Sequence, residues 1–159
     1  IGINDSGNWI IDPIRLPANL RMVLFIPNIK MNTKESRAQL PIHVSLEDAV
    51  FNIGRAAILV NALINGKFEL LRQATQDRLH QPTRSGEFPA FKHIVSGALK
   101  GGAHGAFLSG SGPSVLALTT GREVTVSYEM AEAARMAQVN GKTMILDPVI
   151  EGARVITEE

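Results

Sequence analysis

The sequence predicts an α+β domain, a mostly antiparallel sheet with helices packed on one face, occupying the whole of residues 1–159 as a single unit. Three observations predict it. Leu20–Ile26 and Ser114–Leu118 have the length and apolar content of strands, and four further segments carry apolar residues at helical spacing. No repeat, linker or low-complexity tract divides the chain, and the elements read in the order strands, helices, strand, helix, strand.

Leu20–Ile26 (LRMVLFI) is stopped by Pro27, as befits a buried strand. Trp9–Leu16 can supply its partner in an opening hairpin, with Pro13 tolerated near an edge. Ser45 begins the clearest helix: Asp48 stands three residues on as a shortened capping box, and Leu46, Val50, Ile53, Ala57, Val60 and Ile64 recur at steps of three and four. Asn65-Gly66 ends it. A second helix is expected over about Phe68 to Leu79, stopped by Pro82, and a third from Pro89 through Phe91, Ile94 and Ala98 to Gly101-Gly102. Ala106–Leu108 enters a strand, Ser109–Pro113 interrupts it as a tight loop, and Ser114–Leu118 resumes it. Val126–Val139 reads as helical up to Asn140-Gly141, and Thr143–Leu146 with Ala153–Ile156 supplies the last strand or hairpin.

With 45% hydrophobic and 19% charged residues, and a mean hydropathy of +0.07, the chain has the composition of a folded domain with a core. No run approaches the roughly 18 apolar residues of a membrane span. Sixteen Lys and Arg against fifteen Asp and Glu leave a formal charge of +1, and the aromatic residues are six Phe, one Tyr and one Trp. That balance gives neither the field nor the stacking surfaces that a nucleic acid needs. The absence of cysteine excludes disulfides, thiolate metal sites and cysteine nucleophiles. With four His and no HExxH, a metal held by this chain alone is not expected either. The chain opens Ile1-Gly2-Ile3-Asn4 with neither Met nor a signal pattern, and reads as cut from something longer.

Three segments could carry chemistry. In GGAHGAFLSGSGPS, glycines can turn successive N–H groups toward an anion, although a Gly-Ser-Gly tripeptide alone reads more simply as a turn. It lacks the Gly-Lys-Ser/Thr of a Walker loop and the GxGxxG of a dinucleotide loop. In Asn32–Arg37, Thr33 and Arg37 stand four apart, so one helical face can present a hydroxyl and a guanidinium to one small ligand. A capping Thr and a solvated Arg is the simpler reading of that spacing. In Gln76–Arg84, Asp77, His80 and Arg84 could line a cleft, or cap a helix and orient a loop.

Taken jointly and in this order, these segments resemble the C-terminal half of the GHMP-superfamily kinases. Leu108–Val115 (LSGSGPSV) is similar to the superfamily's third motif, while Met31–Pro41 (MNTKESRAQLP), Ser45–Asn52 (SLEDAVFN) and Gln76–Arg84 (QDRLHQPTR) resemble its homoserine kinase branch. They do not resemble the mevalonate, galactose or diphosphocytidyl-methylerythritol branches. The resemblance implies a ferredoxin-like plait, and transfer of the ATP γ-phosphoryl group to the hydroxyl of L-homoserine in threonine biosynthesis. It further implies that Arg37 and Arg84 bind the amino-acid carboxylate, and that Thr33, the candidate catalytic residue, places a hydroxyl near the reacting oxygen. The loop residues Ser109, Gly110, Ser111, Gly112 and Ser114 would back the phosphate-holding loop of another half.

The superfamily's Pro-x-x-x-Gly-Leu-Gly-Ser-Ser loop and its Mg²⁺-binding acidic segment are absent from these residues. ATP and Mg²⁺ are therefore expected to be bound mainly by an N-terminal half of the same enzyme, without which this chain is inactive. A cytoplasmic location follows, or a plastid in a plant, and a homodimer is allowed. A different class of answer is a non-catalytic ACT-like amino-acid-binding domain, since the same sheet-and-helix plan serves both. The C-terminal half of another GHMP small-molecule kinase is a further alternative.

Overall fold

The structure, a computed structural model, describes residues 1–29, 38–150 and 155. Its elements are β1 (Gly2–Asp5), β2 (Asn8–Ile11), β3 (Arg21–Pro27), α1 (Leu46–Asn65), a 3-10 turn (Phe68–Leu70) running into α2 (Leu71–Ala74), α3 (Gln81–Glu87), α4 (Ala90–Lys100), β4 (Gly105–Leu108), β5 (Val115–Thr119), α5 (Glu123–Met136) and β6 (Gly141–Leu146). The apolar run before Pro27 becomes the central strand. β3 pairs antiparallel with β5 on one side and β6 on the other, and β4 adds to β5, giving the order β4-β5-β3-β6.

The two-residue period of the strands divides their side chains between two faces. On one face Val23 and Phe25 join Ala106, Leu108, Val115 and Ala117, and α4 and α5 cover them with Phe91, Ile94, Ala98, Val126, Met130 and Ala134. Burying each of the larger of these side chains contributes about 1.5–3 kcal/mol. α4 and α5 lie so close that a Cβ on Gly97 would stand 2.6 Å from the Glu129 carbonyl oxygen, so this crossing requires glycine. On the other face Leu20, Leu118, Met22 and Phe107 meet Leu71, Ala62, Leu59 and Leu63 in a second, smaller cluster. The α+β class with an antiparallel sheet is the one expected, but the helices are not confined to one face: α4 and α5 cover one side, and α1 and α2 pack on the other, because Met22, Phe107 and Leu118 make that side apolar as well.

Three expectations are corrected in detail. Trp9–Leu16 does not pair with the strand before Pro27: β2 pairs instead with β1 in a separate hairpin, turned at Ser6 and Gly7, both at positive φ. Pro13 and Pro17 interrupt the chain between the hairpin and β3. The helix expected to reach Leu79 stops at Ala74, and the polar residues after it are captured by side chains described below. The last helix runs Glu123–Met136, three residues earlier than its apolar spacing suggests. Of the expected strand at Ala153–Ile156, only Val155 lies within the described residues, and it is not in a strand.

α1 begins and ends as its sequence dictates. Ser45 accepts the Asp48 N–H at 3.0 Å, and Gly66 closes the helix at φ 63°. Its apolar stripe, however, does not face the core: Leu46, Val50, Ile53 and Ile64 are 80, 60, 69 and 53% exposed. The buried side is the neighbouring stripe of Leu59, Ala62 and Leu63, so α1 is apolar on two faces and this sheet takes only one.

Candidate functional site

The site is built around α3, and Asp77 builds its entrance. Thr75 turns its hydroxyl back onto the Leu71 carbonyl at 2.8 Å as α2 ends. One oxygen of the Asp77 carboxylate then accepts the N–H groups of Leu79 (3.1 Å), His80 (2.8 Å) and Gln81 (2.7 Å), which the first turn of α3 would otherwise leave unpaired. Its other oxygen accepts the Asn52 side-chain amide at 2.5 Å, and the Asn52 oxygen accepts the Arg78 N–H at 2.9 Å. Asn52 of α1 thus pins the turn in place. Pro82, expected to stop a helix, instead occupies the first turn of α3, where its fixed φ and missing N–H cost nothing.

Burial alone would raise the Asp77 carboxyl, but the hydrogen bonds from the Gln81 N–H, the Asn52 amide and the His80 N–H outweigh it, helped by the charge of a protonated His80. The group is held below the ordinary aspartate value of 3.8. Because the folded value is the lower one, Asp77 stabilises the fold above about pH 4, and this contribution is lost as pH falls through the depressed value. Asp77→Ala is expected to cost about 1–3 kcal/mol at pH 7, since several N–H groups lose their acceptor. The difference between the wild-type and variant melting temperatures should shrink as pH drops from 5 to 3. An unchanging difference over that range would contradict this role.

α3 then grips the loop between β4 and β5 at two points. Gln81 accepts the Leu108 N–H on its side-chain oxygen at 3.1 Å and donates from its nitrogen to the Thr75 carbonyl at 3.2 Å. One turn later, Arg84 donates from Nη1 to the Ser111 carbonyl at 2.7 Å. Arg84 is 6% exposed, its Nε has no partner among the described residues, and no described carboxylate lies within ion-pair distance of it. Within the loop, Ser109 donates its N–H to the Ser114 carbonyl at 2.8 Å, and Gly112 donates to that of Ser109 at 3.1 Å. Gly110 and Gly112 sit at φ 59° and 76°, conformations that favour glycine.

Beside this brace lies a cavity of about 190 Å³ whose walls include Asn52, Arg55, Asp77, His80, Gln81 and Leu108. Two guanidinium groups share one ring beside it: Arg55, a wall residue, and Arg78 stand 3.1 and 3.9 Å from the centre of Phe51. Asp77, read in sequence as cleft-lining or capping, does both, whereas His80 lines the cavity and stands at the N-cap of α3 without a side-chain capping bond. The structure brings Arg84 to the Ser109–Ser114 loop, which sequence spacing did not predict. Asn52 and Gln81 were missed as site residues, although both stand inside segments whose motifs were singled out. Thr33 and Arg37 lie outside the described residues. Among the described residues no group of three or more His, Asp and Glu gathers to hold a metal, and no helix is long and apolar enough to cross a membrane.

Residues 59–135, from within α1 to the last turn of α5, match the family described as GHMP kinases C terminal. A homoserine kinase of Caldicellulosiruptor bescii is 43% identical over 149 residues, covering 89% of this chain and 47% of that protein. One of Aquifex aeolicus is 35% identical over 153 residues, covering 96% of this chain and 51% of that protein. The crystal structure of a homoserine kinase from Cytophaga hutchinsonii superposes with a TM-score of 0.81 at 29% identity, over 89% of this chain and 45% of that one. The chain spans about half the length of the relatives it matches. Over residues 59–135 it carries the C-terminal domain of the GHMP kinases.

Proposed function

We propose that this chain is the C-terminal half of a homoserine kinase, in which Arg84, together with Arg37, binds the substrate carboxylate. The observation that carries the reading is the buried Arg84 guanidinium, held by one carbonyl and lacking a carboxylate among the described residues. A buried charge without a counter-ion is costly, so an anion is expected there, and a planar fork suits a carboxylate. Similarity to homoserine kinases, at 43% identity in one case, supports reading that carboxylate as an amino acid's, and it favours a kinase over a regulatory module.

In this reading the chain's own residues bind and orient. Arg84 and Arg37 fix the carboxylate, and Thr33 sets a hydroxyl near the acceptor oxygen. ATP supplies the phosphoryl group when bound, and the Ser109–Ser114 loop, whose Gly110 and Ser111 N–H groups donate to no described group, backs the phosphate-holding loop of the N-terminal half. Ion and nucleotide are assigned to an N-terminal half, since this sequence lacks the superfamily's ATP loop and acidic segment, in a cytoplasmic enzyme of threonine biosynthesis. The exposed stripe of α1 and the exposed Ile3, Trp9, Ile10 and Ile11 of the hairpin are in keeping with further protein packed on this one.

The test of the function is coupled ADP release by the full-length protein with L-homoserine, mevalonate and galactose as acceptors. L-Homoserine should have the highest kcat/KM by at least about 100-fold. Equal turnover of mevalonate or galactose would overturn the assignment.

The loop's role is tested by separating shape from stability. Leu108→Ala empties a core position and should cost about 2–5 kcal/mol. In Gly112→Val the new Cβ sits at φ 76° and 3.1 Å from Leu108 Cδ2, which the leucine can partly accommodate, so the stability loss should be smaller, about 1–2 kcal/mol. Yet kcat of the full-length enzyme should fall at least about tenfold, because the loop no longer holds its course. If Gly112→Val unfolds as readily as Leu108→Ala while the folded fraction keeps normal kcat, the loop is only a turn.

A further inference from the structure

We propose that Gln81 is a positioning residue, which sets Arg84 and the Ser109–Ser114 loop at a fixed separation so that the acceptor's carboxylate and the loop are held as one unit. The proposal rests on the reading of Arg84 as a carboxylate ligand and deepens it. Gln81 and Arg84 stand three apart on α3, and so do their targets, the Leu108 N–H and the Ser111 carbonyl. One face of one helix therefore holds the loop at its foot and near its tip.

The chemistry at the foot is unusual for a strand. β4 is the end strand of the sheet, so on its outer side the Leu108 N–H has no strand to donate to. The Gln81 side-chain oxygen takes the place of that strand, in a residue only 9% exposed. Its amide nitrogen is committed to the Thr75 carbonyl, which fixes which end of the amide faces Leu108 and ties the grip to the turn built by Asp77 and Asn52. Both polar ends of Gln81 are thus used on backbone. Arg84, one turn on, has only its Ser111 contact to fix the guanidinium among the described residues, so its placement depends on how firmly α3 is seated.

Two consequences separate positioning from mere stability. Loss of Gln81 should be felt through Arg84, and should appear chiefly in the KM for the carboxylate-bearing acceptor. The experiment is a double-mutant cycle in the full-length protein, with Gln81→Met and Arg84→Lys alone and combined, reading kcat/KM for L-homoserine and the melting temperature of each. Gln81→Met should lower kcat/KM by about tenfold or more in the wild-type background, mostly through KM, and by less than about threefold once Arg84 is Lys.

The same fold-loss in both backgrounds, or no loss in the first, would overturn the proposal. If Arg84→Lys leaves the homoserine KM unchanged, the carboxylate reading itself fails, which is a distinct result. Should Gln81→Met not fold, Gln81→Asn, which keeps the amide on a side chain one carbon too short to reach both Leu108 and Thr75, goes through the same cycle with the same two outcomes.

Discussion

Assayed alone, the 159-residue chain is expected to release no ADP above background with ATP and L-homoserine. Phosphoryl transfer depends on positioning and on charges around the phosphates, and losing single members of such a clamp costs about 10³–10⁵ in rate. Here the sequence holds neither the glycine-rich ATP loop nor the acidic Mg²⁺-binding segment of the superfamily type. The expected drop relative to the full-length enzyme is therefore at least about 10³-fold. Turnover within tenfold of the full-length enzyme would mean that the nucleotide site lies in this chain after all.

In the full-length enzyme, Arg84→Ala and Arg37→Ala should each cost about 2–4 kcal/mol in kcat/KM for L-homoserine, roughly 30- to 1000-fold. On the proposed reading each loses a charge-assisted bond to the carboxylate. The two variants should then part company. Arg84 also holds the Ser111 carbonyl, so its loss should raise the KM for ATP as well, whereas Arg37→Ala should leave that KM nearly unchanged. Arg→Lys should restore only part of the activity, because a point charge cannot replace a fork. An equal loss of ATP affinity in both variants would mean that both bind phosphate, and the amino-acid assignment would fail.

What could be read from sequence here was what local chemistry decides. Ser45 with Asp48 and Asn65 with Gly66 bound α1 correctly because caps act within one turn. Val23 and Phe25 lie in a strand because apolar density and Pro27 leave little else. The errors share a different cause. α1 carries apolar residues on two faces, and spacing alone cannot say which face meets the sheet. The helix expected to reach Leu79 breaks because Asn52, 25 residues earlier, captures the Asp77 carboxylate, a contact that no window along the chain contains. The site was half legible for the same reason. Arg84 and the glycine loop stood out as residue types, but their meeting through Ser111, and the part of Gln81 in it, exist only once α3 meets the end of β4.

The central claim is that Arg84 answers the carboxylate of an amino-acid acceptor, and it is tested most directly by removing that charge from the ligand. In the full-length enzyme kcat/KM is measured for L-homoserine and for its carboxamide, with wild type and with Arg84→Ala. Wild type should prefer the carboxylate by roughly 100-fold or more, and Arg84→Ala should cut that preference by at least about tenfold. An undiminished preference in the variant would show that the carboxylate is bound elsewhere.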